Sequence, residues 1–226
     1  MDAHMSPILS ALSDDARTTL LSTGVERRWR RGSVLFLTGD SPERLYLVGD
    51  GIVKLARRNS DGRELIISLA AAGELVGELA AFETLPHDVD AIAATPVRAL
   101  SLDAQCFRRV MAREPAALRG FVADLGRRYR ALAACVHERG TATVPARLAS
   151  RLLEMALLFG RADDDALEFE IPLRQTDIAS FAGTSRESVS KTLKRFEAQG
   201  LVRCRGRTLR IVRPAALEKI RCAGRA

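Results

Sequence analysis

Residues 174–212 read "RQTDIASFAGTSRESVSKTLKRFEAQGLVRCRGRTLRIV". The first ten predict a short helix in which Ile178, Ala179 and Phe181 are apolar and Gly183 is the break. A tight turn follows. Thr184 then caps a second helix, and Glu187 completes a capping box with it; Ser185 is an alternative cap one residue on. Val189, Leu193 and Phe196 recur at i, i+4 and i+7 and form the stripe to be buried. Arg186, Glu187, Ser190, Lys191, Lys194 and Arg195 are left largely outside it, and Gly200 ends the helix. The segments "LVRCR" and "RTLRIV" then pair as a hairpin around Gly206, with Arg203, Arg205, Arg207 and Arg210 on its arms. Helix, turn, helix and basic hairpin make a winged helix-turn-helix. A helix of this kind fits the DNA major groove, where Arg or Lys pairs with guanine and Glu accepts from cytosine.

The charge distribution points the same way. From Ile178 to the end there are 12 Lys and Arg against 3 acids, which leaves 23 against 25 in residues 1–177. The basic excess of a +7 chain therefore sits in its last 49 residues, the electrostatic footprint of a nucleic-acid-binding end. A winged helix that contacts only other proteins is the alternative reading of the motif.

Upstream, "VPARLASRLLEMALLFG" (144–160) predicts a helix with Pro145 in its first turn, and "ALEFEIPL" alternates as a strand. "GTATV" (140–144) reads as a hinge, with Gly140 breaking the helix before it. That helix runs from Ala116, after a short one, "AQCFRRVMAREP", stopped before Pro115. Leu118, Phe121, Leu125, Leu132, Cys135 and Arg139 recur along it at spacings of three, four or seven, with Tyr129 and Val136 beside them. Such a seam suits pairing with a second copy of the chain, or packing on the chain's own N-terminal domain. In that domain short β-type runs, "SVLFLTGD", "RLYLVGDGIVKLARR", "RELIISLA" and "VDAIAATPVRALSL", lie between glycine turns, and "NSDGRE" marks a hairpin. Many short strands with glycine turns imply an antiparallel roll. The expected class is α+β. The expected parts are an antiparallel β-roll domain in 1–115, a long dimerisation helix and hinge in 116–140, and a winged helix-turn-helix in 141–226.

No apolar run approaches the roughly 18 residues of a membrane span, and the N-terminus lacks a secretory pattern, so a cytoplasmic location is expected. Cys106, Cys135, Cys204 and Cys222 are too scattered for a zinc or iron–sulfur motif. They read as reduced thiols; Cys204, among Arg203, Arg205 and Arg207, is the one candidate for redox sensing, because neighbouring positive charge lowers a thiol pKa. Nothing has the pattern of a catalytic triad, P-loop or zinc protease. Glu154, Asp163, Asp164, Asp165 and Asp177 read as helix, loop and cap positions rather than acid–base pairs, so no enzyme is expected. The rival to a DNA regulator is a small-molecule-binding module in which DNA contact is secondary.

The recognition-helix stretch "TSRESVSKTLKRFEAQGLV" resembles that of the cyclic AMP receptor–Fnr (Crp/Fnr) family of bacterial transcription regulators, and so do "GELVGELAAFE" (73–83) and "VPARLASRLLEMA". The resemblance covers roughly residues 20–215. It implies a cyclic-nucleotide-binding-like β-roll and a homodimer joined by the central helix through Leu118, Phe121, Leu125, Tyr129, Leu132 and Val136. It implies paired recognition helices on palindromic double-stranded DNA, with RNA polymerase as a further partner. Arg186, Glu187 and Lys191 take the base-reading places; the third is usually Arg in the family. Thr184, Ser185, Ser190, Lys194, Arg205 and Arg207 face the DNA backbone. In the effector pocket Gly77, Glu78 and Leu79 match the part that holds ribose. His87 and Asp88 stand where cyclic-AMP binders carry the Arg-Ser pair for the phosphate, and Leu132-Ala133 replaces the Thr-Ser pair that contacts adenine. Arg128, or Arg127 beside it, is the remaining candidate for a phosphate. The resemblance therefore implies an effector other than cyclic AMP, or none, with no metal and no iron–sulfur cluster.

Overall fold

The computed structural model describes residues 6–159, 161–163, 166–170, 173–206 and 208–223. The chain divides into two compact units, residues 1–131 and 132–226.

The first unit opens with two short helices, α1 (Pro7–Ser10) and α2 (Asp14–Ser22), whose first turns are capped by the Ser6 and Ser13 hydroxyls. Eight strands and one helix follow: β1 (Val25–Trp29), β2 (Val34–Phe36), β3 (Arg44–Asp50), β4 (Val53–Arg58), β5 (Glu64–Ala70), β6 (Leu75–Val76), α3 (Glu78–Glu83), β7 (Asp90–Ala93) and β8 (Val97–Asp103). They form two four-stranded antiparallel sheets, in the orders β1-β8-β3-β6 and β2-β7-β4-β5. The predicted hairpin joins β4 to β5, and its turn is closed twice by Asn59: the backbone carbonyl accepts from Gly62 and the side-chain oxygen from Arg63.

Between the sheets lies a core of small residues, with Val48, Val76, Val97 and Ala99 from one and Phe36, Val53, Ala70, Ala91 and Ala93 from the other. Side chains alternate across a strand, so Leu45 and Leu102 emerge on the opposite face. There they pack with α1, α2 and α4 (Ala104–Arg113), and with Ala117 and Phe121 of α5 (Pro115–Thr141).

This second core corrects the expected seam on α5. Phe121 is buried in the chain's own core and Leu125 packs against it. The exposed apolar residues of α5 are instead Leu118, Val122, Tyr129, Leu132 and Val136, with Tyr129 72 % and Val122 61 % exposed. With Leu125 at the boundary they recur at alternating spacings of four and three, a stricter heptad than the predicted one. Gly140 does not break the helix. The Ala142 N–H still donates to the Glu138 carbonyl at 2.8 Å, and the break falls at Ala142–Thr143, before Pro145.

The second unit contains α6 (Val144–Phe159), β9 (Arg161–Asp163), β10 (Ala166–Glu170), α7 (Gln175–Ala182), α8 (Arg186–Ala198), β11 (Val202–Arg205), β12 (Thr208–Ile211) and α9 (Pro214–Ala223). The strands form one antiparallel sheet in the order β11-β12-β10-β9. α6 packs against α7, α8 and α9. Leu148, Leu152, Met155, Phe181, Val189, Phe196, Leu209 and Leu217 are all fully buried or nearly so. Among the described residues no helix is long and apolar enough to cross a membrane.

Candidate functional site

α8 presents the candidate reading surface. Val189, Thr192, Leu193 and Phe196 are buried beneath it, spaced as one face of a helix. The opposite face carries exposed Arg186, Glu187, Lys191 and Lys194, with Ser190 half-buried among them. Together with Gln175, the first residue of α7, these five line a recess of about 430 Å³. Three of its six residues are cations and one is an acid, so the recess favours anions. Sequence reasoning misses Gln175, because it treats α7 only as the support for α8.

The cap of α8 is Ser185, not Thr184. Ser185 is extended, with φ −84° and ψ 156°, and its hydroxyl accepts from the Ser188 N–H at 3.2 Å. Thr184 belongs to the turn, where its N–H donates to the Ala179 carbonyl at 2.9 Å. The predicted Thr184–Glu187 box is therefore not formed. The Glu187 carboxyl is held below the usual carboxylate range by its own backbone N–H and by the Ser185 hydroxyl. It is ionised near neutral pH, as an acceptor must be.

Behind α8 the predicted hairpin forms from β11 and β12, with Arg205 opposite Thr208. Arg203 and Arg205 are exposed; Arg207 lies outside the described residues. Cys204 does not fit a redox role. Burial and the Glu197 carboxylate push its thiol up to about 11, so it is protonated at neutral pH and a poor nucleophile. Of the carboxylates considered for acid–base chemistry, Glu154 is held by Arg151 on α6 and Asp177 accepts from the Arg174 N–H to cap α7. Asp163 ends β9, while Asp164 and Asp165 lie outside the described residues. Among the described residues no cluster of His, Cys, Asp and Glu is arranged to hold a metal ion.

The pocket region of the roll is built around Gly77 and α3. Gly77 has φ +85°, and an added Cβ would meet His87 at 3.0 Å and Phe36 at 3.1 Å, so only glycine fits. His87 is buried and stacks on Phe36 with ring centres 3.7 Å apart. Burial lowers its pKa despite the pull of Asp40 and Asp88, so the ring is neutral at pH 7. Glu78 is 2 % exposed. The Arg128 guanidinium donates to it at 2.5 Å and to Asp124, also buried, at 2.8 Å. Burial pushes the Glu78 carboxyl above the usual range, against the pull of Arg128 and of its own backbone N–H. Leu79 packs into the helical core and Asp88 is exposed. Leu132 is exposed and belongs to the second unit.

An antiparallel roll with this pocket, joined to a winged helix-turn-helix, defines a class of DNA-binding transcription regulators. Comparison with known proteins agrees. Residues 26–114 match the cyclic nucleotide-binding domain and residues 146–220 the Crp-like helix-turn-helix domain. The chain is 34 % identical over 181 residues to a CRP-like cAMP-activated global transcriptional regulator of Mycobacterium tuberculosis, covering 80 % of this chain and 81 % of that one. It is 28 % identical to the cyclic AMP receptor protein of Thermus thermophilus over 95 % of this chain and 96 % of that one. A solved CRP-family transcriptional regulator from Thermus thermophilus superposes with a TM-score of 0.72 at 26 % identity, covering 88 % and 98 % of the two chains. The chain belongs to the Crp/Fnr family of bacterial transcription regulators, whose members regulate transcription rather than catalyse reactions.

Proposed function

We propose that the protein is a homodimer that reads a palindromic DNA site in the cytoplasm with two copies of α8, and regulates transcription there through RNA polymerase. The carrying observation is the exposed row of Arg186, Glu187 and Lys191 on the first turns of α8, beside a buried stripe that fixes their direction. In this reading these three contact base edges. Thr184, Ser185, Ser190, Lys194 and Arg205 contact the backbone. The heptad of exposed apolar residues on α5 supports the dimer, since an apolar stripe of that length is stable only when covered. Selection of bound duplexes from a random pool is expected to recover an inverted repeat, with half-sites about one helical turn apart. Recovered sites without two-fold symmetry would sink the dimeric reading.

The effector reading is that the roll does not take cyclic AMP. Arg128 is already shared by two buried carboxylates, His87 is neutral and Asp88 is acidic. A cyclic phosphate would meet a region in which acids already outnumber cations, with Glu78, Asp124 and Asp88 against Arg127 and Arg128. Titration calorimetry with cyclic AMP is expected to show no binding at micromolar concentration; a dissociation constant in that range or tighter would overturn the reading.

A further inference from the structure

The second unit contains a buried ionic knot away from the reading surface. Arg151 on α6 is 8 % exposed, and Glu138 near the end of α5 is 4 % exposed. Arg151 donates through Nη2 to Glu138 at 3.0 Å and through Nη1 to half-buried Glu154 at 2.6 Å. The Ser150 hydroxyl donates to the other Glu138 oxygen at 3.0 Å. The Arg151 guanidinium carbon lies 5.0 Å from the centre of the Phe181 ring, a cation–π distance. Phe181 is fully buried near the end of α7, two residues before Gly183.

Two further arginines bind the same junction. Arg147 donates to the carbonyls of Ala142 at 2.7 Å, Ala182 at 3.1 Å and Gly183 at 3.3 Å. Its fork therefore spans the α5–α6 break and the turn between α7 and α8. The Arg139 guanidinium lies against Gly183, where a Cβ would be 3.1 Å from its Cζ. Gly183 also has φ +61°, so this turn tolerates no side chain without strain.

Stability alone does not account for the Glu138–Arg151 pair. Desolvation offsets most of the attraction in a buried ion pair, and apolar residues of similar volume hold such sites as well or better. A planar guanidinium held on two sides supplies direction instead, because its donors lie in a fixed fork. Here the fork joins the last turns of α5 to α6, and the ring beneath it belongs to the helix that leads into α8.

We propose that Glu138 and Arg151 are positioning residues for DNA reading, setting the angle at which the helix-turn-helix is carried on the end of α5. The proposal rests on the two-fold reading above, because that angle decides which half-site spacing the dimer can span.

The test uses the full-length protein, the double variant Glu138→Gln with Arg151→Met, and the single variant Arg151→Lys. Each is measured by thermal unfolding and by binding to the selected inverted repeat, to the same repeat with its spacer changed by one or two base pairs, and to a single half-site. The wild type is expected to prefer the native spacer by about tenfold or more, and the double variant by about threefold or less. Half-site affinity and unfolding temperature should stay close to wild type in the double variant, and Arg151→Lys should fall between. A folded double variant with undiminished spacing preference overturns the proposal while leaving the two-fold reading intact. A double variant that fails to fold shows that the pair serves stability and overturns the proposal as well. A wild type indifferent to spacing overturns the two-fold reading, and the positioning role with it.

Discussion

A Val122→Glu, Leu132→Glu double variant is expected to be monomeric at micromolar concentration and to bind its full DNA site about 100- to 10,000-fold more weakly than wild type, while holding a single half-site as before. Both residues are exposed apolar members of the α5 heptad, so their replacement costs the isolated chain little. In a paired helix they would bring four carboxylates into an apolar seam, and an ionised carboxylate taken out of water without a partner is strongly unfavourable. The weaker hold on DNA follows from linkage of the two half-sites. In a dimer, the second recognition helix binds at an effective concentration set by its tether; in a monomer it must be recruited from solution. Phe121 and Leu125 would not test this, because they pack in the chain's own core and a charge there would unfold it. Light scattering gives the oligomeric state, and fluorescence anisotropy gives the affinities for full and half sites. A wild type that is monomeric at this concentration defeats the idea, as does a monomeric variant with undiminished full-site affinity.

The DNA-reading end is legible in the sequence because its signals are local. The apolar spacing of α8, the break at Gly183 and the hairpin at Gly206 each depend on residues within one or two turns of chain. The cap falls one residue from its expected place because Thr184 and Ser185 both offer a hydroxyl. The choice between them lies in the turn, where the Thr184 N–H bonds back to Ala179 and leaves Ser185 as the first extended residue before the helix. The α5 seam is half legible for a similar reason. Spacings through Phe121 and through Val122 both suit a helix, and only the packing of Phe121 and Leu125 on the roll decides which face is left outward. β1, "VERRW", shows no alternation because four of its five residues are exposed, and β6 is only two residues long. The pairing of Glu78 with Arg128 joins residues fifty positions apart, and the ionic knot at Arg151 gathers three helices. Charge spacing along the chain cannot reveal pairings of that kind.

Replacing Arg186 with Ala is expected to cost about 1–3 kcal/mol at the selected site and to relax the preference at one guanine of each half-site. Arg186 is the first residue of α8, directly after the Ser185 cap, and its side chain is exposed on the rim of the recess. In helix-turn-helix docking the N-terminal residues of the second helix meet the base edges. A guanidinium there can donate to guanine O6 and N7 together, a pattern no other base offers. Arg205, at the end of β11, should behave differently. In the proposed reading it faces phosphate, a contact that carries no sequence information. Arg205→Ala should therefore weaken binding to specific and random duplexes alike, and make log affinity against log salt less steep by about 0.9 for each phosphate no longer neutralised. Arg186→Ala should leave affinity for random DNA less affected than affinity for the selected site. Both variants are measured on the selected site, on a site altered at the guanine assigned to Arg186 and on random DNA, at two salt concentrations. If Arg186→Ala keeps the full preference between selected and altered sites, the side chain does not read that base, whatever happens to overall affinity. If Arg205→Ala narrows that preference without changing the salt slope, the hairpin reads sequence and the division of labour between α8 and the wing is reversed.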